Sequence, residues 1–229
     1  QRQMCIRDSK PVDRNEWYMT PQTINAYYDP TTNEICFPAG ILQAPFFDPA
    51  ADDATNYGAI GVVIGHEMTH GFDDQGSQFD KEGNLRNWWT SQDKANFKAR
   101  TERMVRFFDG IEVLPGLHCN GALTCGENIA DHGGLKVAYQ AFRNATARNP
   151  LPKFEGFTPD QRFFISYAQV WANNIRPEAL RNQVKTDPHA PGRWRVNGAL
   201  PQIDAWYNAF GIKKGDKLFV PKNKRVDVW

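Results

Sequence analysis

His66-Glu67-Met68-Thr69-His70 is the stretch on which the reading of this chain turns. On a helix, residues four apart lie one turn above each other on the same face. His66 and His70 can therefore aim imidazole nitrogens at one metal ion. Glu67 sits about 100° round the helix, within reach of a water on that metal without being a ligand. Two neutral nitrogen ligands beside a carboxylate base are what hydrolysis by a metal-activated water requires. The plainer alternative is two histidines on a buried helix, one of them capping something.

A hydrolytic zinc needs a third protein ligand and a free position for water. The chain holds three more histidines, and it holds Glu127 within Gly126-Glu127-Asn128-Ile129-Ala130-Asp131. Glu127 and Asp131 are four apart at a helix start, so their carboxylates share a face. That suits a ligand paired with an acceptor that orients one of the histidines. Thr124-x-x-Glu127 also fits a capping box, in which Glu127 bonds only the Thr124 backbone N–H. Spacing leaves both readings open.

The chain has 229 residues, 41% of them hydrophobic, and a net charge of +1. That length can bury a sizeable core as one domain, or be a large piece of something bigger. No basic excess or like-charge run suggests nucleic acid. Aromatic residues make up 13%, which argues against disorder. No run approaches the roughly 18 apolar residues a membrane span needs. The first residue is Gln and no signal-like segment precedes Lys10, so the chain reads as a fragment with its true start upstream. Residues 1–9, with Cys5, lack periodicity and read as non-native or linker sequence. Cys119 and Cys125 lie six apart in a loop-like segment, as a small disulfide or two free thiols; the redox compartment stays open.

Organisation follows from local patterns. Pro11 to Pro30 is turn-rich, and Glu34 to Phe37 is a short strand stopped by Pro38 and Gly40. From Tyr57 to His70, Ile60, Val63 and Ile64 mark an inner helical face, with Gly71 as a C′ residue. Gly58, Gly61 and Gly65 cost helix propensity and make sense if something packs very close. Thr90 and Asp93 open a second helix, with Phe97, Thr101, Met104 and Phe108 inward and Gly110 ending it. A third begins near Thr124 and carries Leu135, Ala138, Tyr139 and Phe142. Thr158-Pro159-Asp160-Gln161 is an N-cap, N1 proline and capping-box glutamine opening an aromatic helix with Phe163, Phe164, Tyr167 and Trp171. Helices from Pro177 to about Asp187 and from Pro201 to Phe210 complete a mainly α chain with a small β element.

The segments His66 to Asp73 and Glu127 to Asp131 strongly resemble the neprilysin family of zinc metallopeptidases, peptidase family M13. So do Asn25-Ala26-Tyr27-Tyr28, Phe37-Pro38-Ala39-Gly40-Ile41-Leu42, Trp88-Trp89, Ala168-Gln169-Val170-Trp171, His189-Ala190-Pro191-Gly192 and the final Val228-Trp229. The resemblance covers Lys10 to Trp229. It implies the C-terminal portion of a thermolysin-like zincin (gluzincin) catalytic domain, residues 10–229, belonging to a longer chain whose N-terminal half is missing. It implies one zinc ion held by His66, His70 and Glu127, with Glu67 as general base and Asp131 holding His66. His189 would stabilise the oxyanion and Arg195 bind a substrate carbonyl or carboxylate. Asn25 and the backbone of Ala26 would anchor the peptide as an added strand. Phe46, Val63 and Trp171 would wall a pocket for the hydrophobic side chain after the scissile bond.

From residues alone, His189 between prolines could simply be exposed, Arg195 could pair with any surface carboxylate, and Asp73 could bond His70 or merely end a helix. The chain departs from the family's animal members. Arg225-Val226-Asp227 stands where they have a cysteine before the terminal tryptophan, and Ala172 follows Trp171 where they have another. It is thus similar to bacterial, disulfide-poor members. His132 follows Asp131 where another residue is expected, which raises the question of what tunes Asp131. The implied activity is a zinc endopeptidase cutting oligopeptides on the amino side of hydrophobic residues. By family resemblance it acts outside the cytoplasm, periplasmic or secreted, ahead of a cytoplasmic location. A non-catalytic metal- or peptide-binding module and an amidohydrolase for non-peptide amides are the competing classes.

Overall fold

The computed structural model describes residues 11–229; segment 1–9, with Cys5, lies outside the described residues. Chain order gives β1 (Tyr27–Asp29), β2 (Glu34–Cys36), α1 (Asp53–Asn56), a π-helical turn (Tyr57–Gly61), α2 (Val62–His70) and α3 (Ser91–Asp109). Then come β3 (Glu112–Leu114), β4 (Leu117–His118), α4 (Cys125–Thr146), α5 (Pro159–Val170), α6 (Pro177–Thr186), α7 (Gly192–Ala199) and α8 (Asp204–Phe210). β1 and β2 pair antiparallel with Tyr27 opposite Cys36, and β3 pairs with β4 as a separate hairpin. The fold is mainly α with a small β element, and no helix among the described residues is long and apolar enough to cross a membrane.

The centre is the crossing of α2 and α4. A Cβ at Gly134 would lie 2.7 Å from the His66 nitrogen and from the Val62 oxygen, and one at Gly65 would lie 2.9 Å from the Gly134 oxygen. Backbone meets backbone there, which only glycine permits. Gly58 touches the backbone of Phe163 in the same way, whereas a Cβ at Gly61 would have ordinary contacts at 3.5 Å. Two of the three glycines thus mark close packing and the third does not.

Around this crossing, Phe142, Phe163, Phe164 and Tyr167 fill a core with Leu135, Trp206 and Tyr207. Burying each such ring contributes roughly 1.5–3 kcal/mol. Met104, Phe108, Ile129, Val226 and Val228 form a second cluster. A third joins Ala26, Ile41, Ile60 and Val63, with Phe37 and Phe46 against it. The π-helical turn sets Ile60 and Val63 toward that third cluster and rotates Ile64 outward, where it is 39% exposed. Ile64 therefore does not belong to the expected inner face.

Several ends follow their side chains. Thr90 caps α3, and Thr158 with Gln161 forms the reciprocal capping box of α5. Gly211 closes α8 in the left-handed region that glycine tolerates. Other expectations need correction. Gly71 ends α2 with an ordinary right-handed φ of −63°. The helix read from Pro201 to Phe210 is a short 3-10 turn, Leu200–Gln202, broken at Ile203 before α8. α7, absent from the sequence reading, has no side-chain cap to announce it. Cys36, Cys119 and Cys125 are free thiols, the latter two buried.

Candidate active site

α2 presents His66 and His70 one turn apart, with their Nε2 atoms 3.0 Å from each other. Each Nδ1–H is already committed. His66 donates to Asp131 Oδ1 at 2.9 Å and His70 to Asp73 Oδ2 at 2.6 Å. Carboxylates accept only, so in the neutral rings both Nε2 atoms carry lone pairs. α4 adds Glu127 to this pair, Oε2 lying 3.2 Å from His66 Nε2 and Oε1 3.6 Å from His70 Nε2. Glu127 Oε2 is buried and makes no hydrogen bond of acceptable geometry despite that distance. Three electron-rich ligand atoms within 4.8 Å of one another repel unless a cation sits among them. The donor set, two imidazoles and one carboxylate, fits a catalytic zinc.

The capping-box alternative for Glu127 does not hold. Thr124 makes no side-chain cap; its hydroxyl donates to the Asn120 carbonyl and accepts from Asn128. Glu127 is free to face the histidines.

Charge in the cluster is mutually supporting. Without a metal, burial opposes charging His66, but the hydrogen bond to Asp131 and the Glu127 carboxylate beside it lift its pKa to about 9. Burial likewise opposes ionising Glu127, yet the adjoining His66 and then His70 bring it to about 2. Asp131 is held well below the usual carboxylate range: burial works against its charge, and Arg195 and His66 outweigh it. Glu67 differs. It is 5% exposed, and burial raises its pKa although His66 and His70 pull the other way.

Arg195, on α7, is buried and forks onto Asp131, Nε to Oδ2 at 2.8 Å and Nη2 to Oδ1 at 2.6 Å. His189 donates Nδ1–H to Asp187 at 2.7 Å, and its Nε2 stands 3.3 Å from Glu127 Oε1. Asn25, exposed, and Ala26, buried, immediately precede β1. Phe46, Val63 and Trp171 contribute apolar wall. All these residues, with Glu67, His66, His70, Glu127, Asp131, His189 and Arg195, line one cleft of about 440 Å³. β1 pairs only with β2 among the described residues, leaving its other edge open.

Two acids were missed by sequence reasoning or left open there. Asp73 orients His70 and also accepts from the Gln75 and Gly76 backbone; Asp187 orients His189. The available signal was an acid within three residues of each histidine. His132 has no part in tuning Asp131: it is fully buried, neither ring nitrogen has a hydrogen-bond partner, and the charges acting on it are Lys136 and Asp227.

Comparison with known proteins places this geometry. The family model "Peptidase family M13" matches residues 25–226. The chain is 48% identical to an endothelin-converting enzyme homolog of Locusta migratoria over 224 residues, 96% of this chain and 30% of that protein. It is 47% identical to endothelin-converting enzyme 1 of Rattus norvegicus, with 96% and 29% covered. Among solved structures, the inhibitor-bound zinc metalloprotease Zmp1 of Mycobacterium tuberculosis superposes with a TM-score of 0.95 at 46% identity, covering all of this chain and 36% of that one. PepO of Lactobacillus rhamnosis gives 0.85 at 40% identity, with 95% and 33% covered. The chain thus spans about a third of the length of its relatives.

Proposed function

The chain belongs to peptidase family M13, and on that premise we propose that residues 10–229 are the catalytic portion of a longer zinc endopeptidase. The observation that carries this is the convergence of His66, His70 and Glu127, both Nδ1–H groups already engaged, beside a buried Glu67. When bound, zinc supplies a Lewis acid that acidifies water and polarises a peptide carbonyl.

The chain's own groups do the rest. Glu67 takes a proton from the attacking water, a role for which its raised pKa suits it, and delivers that proton to the departing amine. His189, oriented by its Nδ1–H bond to Asp187, directs Nε2 into the cleft, where an Nε2–H would donate to the developing oxyanion. Asp131 and Asp73 hold the two imidazoles in the tautomer that leaves Nε2 free. The open edge of β1, next to Asn25 and Ala26, supports binding of the peptide as an added strand. Phe46, Val63 and Trp171 support a preference for a hydrophobic residue on the carboxyl side of the cut. By the family resemblance Arg195 binds a substrate carbonyl or carboxylate, a reading its place in the cleft lining supports. On the family resemblance we assign the activity to an extracytoplasmic setting.

Full-length protein and a quenched peptide with phenylalanine after the scissile bond provide the test. Cleavage should stop with a chelator and return with zinc, while a non-peptide amide stays intact. Zinc-loaded protein that cleaves nothing would identify a binding module instead. Hydrolysis of the amide alone would identify an amidohydrolase.

A further inference from the structure

A buried guanidinium is stable only when its charge and its donors are matched, and Arg195 is 6% exposed. Asp131 fixes one edge of its fork. What fixes its plane comes from a different helix. Trp171, the residue after α5, lays its indole over the guanidinium, 3.8 Å from Cζ to ring centroid. One turn earlier, Tyr167 Oη donates to the Arg195 carbonyl at 2.9 Å. These two side chains are four apart, so they leave α5 on one face and grip Arg195 at both ends. The backbone contact beneath them is equally close: a Cβ at Gly192 would lie 2.6 Å from the Trp171 oxygen. The first turn of α7 therefore rests directly on the end of α5.

We propose that Tyr167 and Trp171 are positioning residues that hold Arg195 and, through it, Asp131 and His66. Trp171 thereby joins the pocket for the substrate side chain to the metal site. The inference deepens the peptidase reading and rests on it. Asp131 Oδ1 accepts from both Arg195 Nη2 and His66 Nδ1. A guanidinium that tilts therefore drags the carboxylate and the imidazole with it. The indole face is the negative face of the ring, and its attraction to a cation is strongest where water is excluded. Leucine would keep apolar wall at that position and lose the attraction.

The experiment uses full-length protein and two quenched peptides that differ only in having phenylalanine or alanine after the scissile bond. Trp171→Leu should lower kcat roughly ten-fold on both peptides, Trp171→Phe less than about three-fold, and Tyr167→Phe by a few-fold. In an Arg195→Lys background, which keeps the charge and drops the planar fork, Trp171→Leu should lose at least half of its effect. A rise in KM confined to the phenylalanine peptide, with kcat unchanged in both backgrounds, would overturn the inference and leave Trp171 a wall alone. Thermal unfolding of the parent, Trp171→Leu, Arg195→Lys and the double variant gives a readout independent of turnover. Non-additive Tm shifts for Trp171→Leu and Arg195→Lys support the clamp even if no peptide is cut, an outcome that counts against the peptidase reading alone. Additive shifts in an active enzyme overturn the clamp and spare the peptidase.

Discussion

Glu67 and Glu127 line one cleft and are assigned different duties in the proposed mechanism, which substitution should separate. Glu67→Gln should retain zinc by elemental analysis and lose nearly all turnover, because an amide cannot take the proton of water. Glu127→Gln should instead weaken zinc retention. The reverse pattern would exchange the two roles. His189→Ala should cost on the order of 10²–10³ in kcat with little change in substrate binding; a change in KM alone would make it a binding group. His132 has a different consequence. Burial, with Lys136 nearby, depresses its folded pKa to about 4, against roughly 6.5 in an unfolded chain. Between those values the unfolded chain binds the extra proton, so stability falls as pH drops through the window, by up to about 1.4 kcal/mol per pH unit. His132→Leu should flatten urea-unfolding free energies between pH 4.5 and 6.5, and curves parallel to the parent would refute this. At this scale the facing of His66 and His70 was legible because a helix converts a spacing of four into a shared face. Asp187 was not, because a loop places it and no periodicity describes that loop.

Elements carry the site by their crossings. Gly134→Ala must push a Cβ into the His66 nitrogen and Val62 oxygen, 2.7 Å away and both backbone. It should destabilise the protein by roughly 1–3 kcal/mol and loosen zinc, measured by thermal unfolding and metal content. Gly61→Ala meets only contacts of 3.5 Å and beyond and should be neutral or slightly stabilising. Equal losses in both variants would deny the crossing its special status. α3 and α5 could be read from residues because side-chain caps fix their starts, and α4 because of its long apolar stripe. α7 could not: it is eight residues long, lacks a side-chain cap and owes its place to Tyr167, Trp171 and Asp131. The π-helical turn likewise escapes a reading at constant period. It shifts the face of every residue after Gly61, which is why Ile64 points outward while Val63 lines the cleft.

At the scale of the whole molecule, apolar side chains are exposed together on one side. Phe163 and Phe164 are covered within the core and take no part in it. The exposed stripe lies instead on the outer side of the metal helix and just beyond it: Ile64, Met68 and Phe72 at 39%, 51% and 49%. Ile64 and Met68 are four apart and share one face of the helix, and Phe72 follows just past its end. Phe72 extends the line to Trp88 and Trp229, with ring centroids 6.4 and 6.1 Å away, both of them half exposed. Contiguous apolar surface of this kind marks a missing interface or an aggregation hazard, and the relatives carry about twice as much further chain. We expect residues 10–229 alone to be poorly soluble and to cleave peptides weakly or without selectivity, with both defects relieved by the upstream portion in cis or in trans. Ile64→Glu with Met68→Glu should make the isolated portion more soluble and abolish that relief, since the charges would have to be buried to re-form the interface. A soluble monomer of residues 10–229 with the turnover and short-peptide preference of the full-length protein would show that the stripe needs no partner.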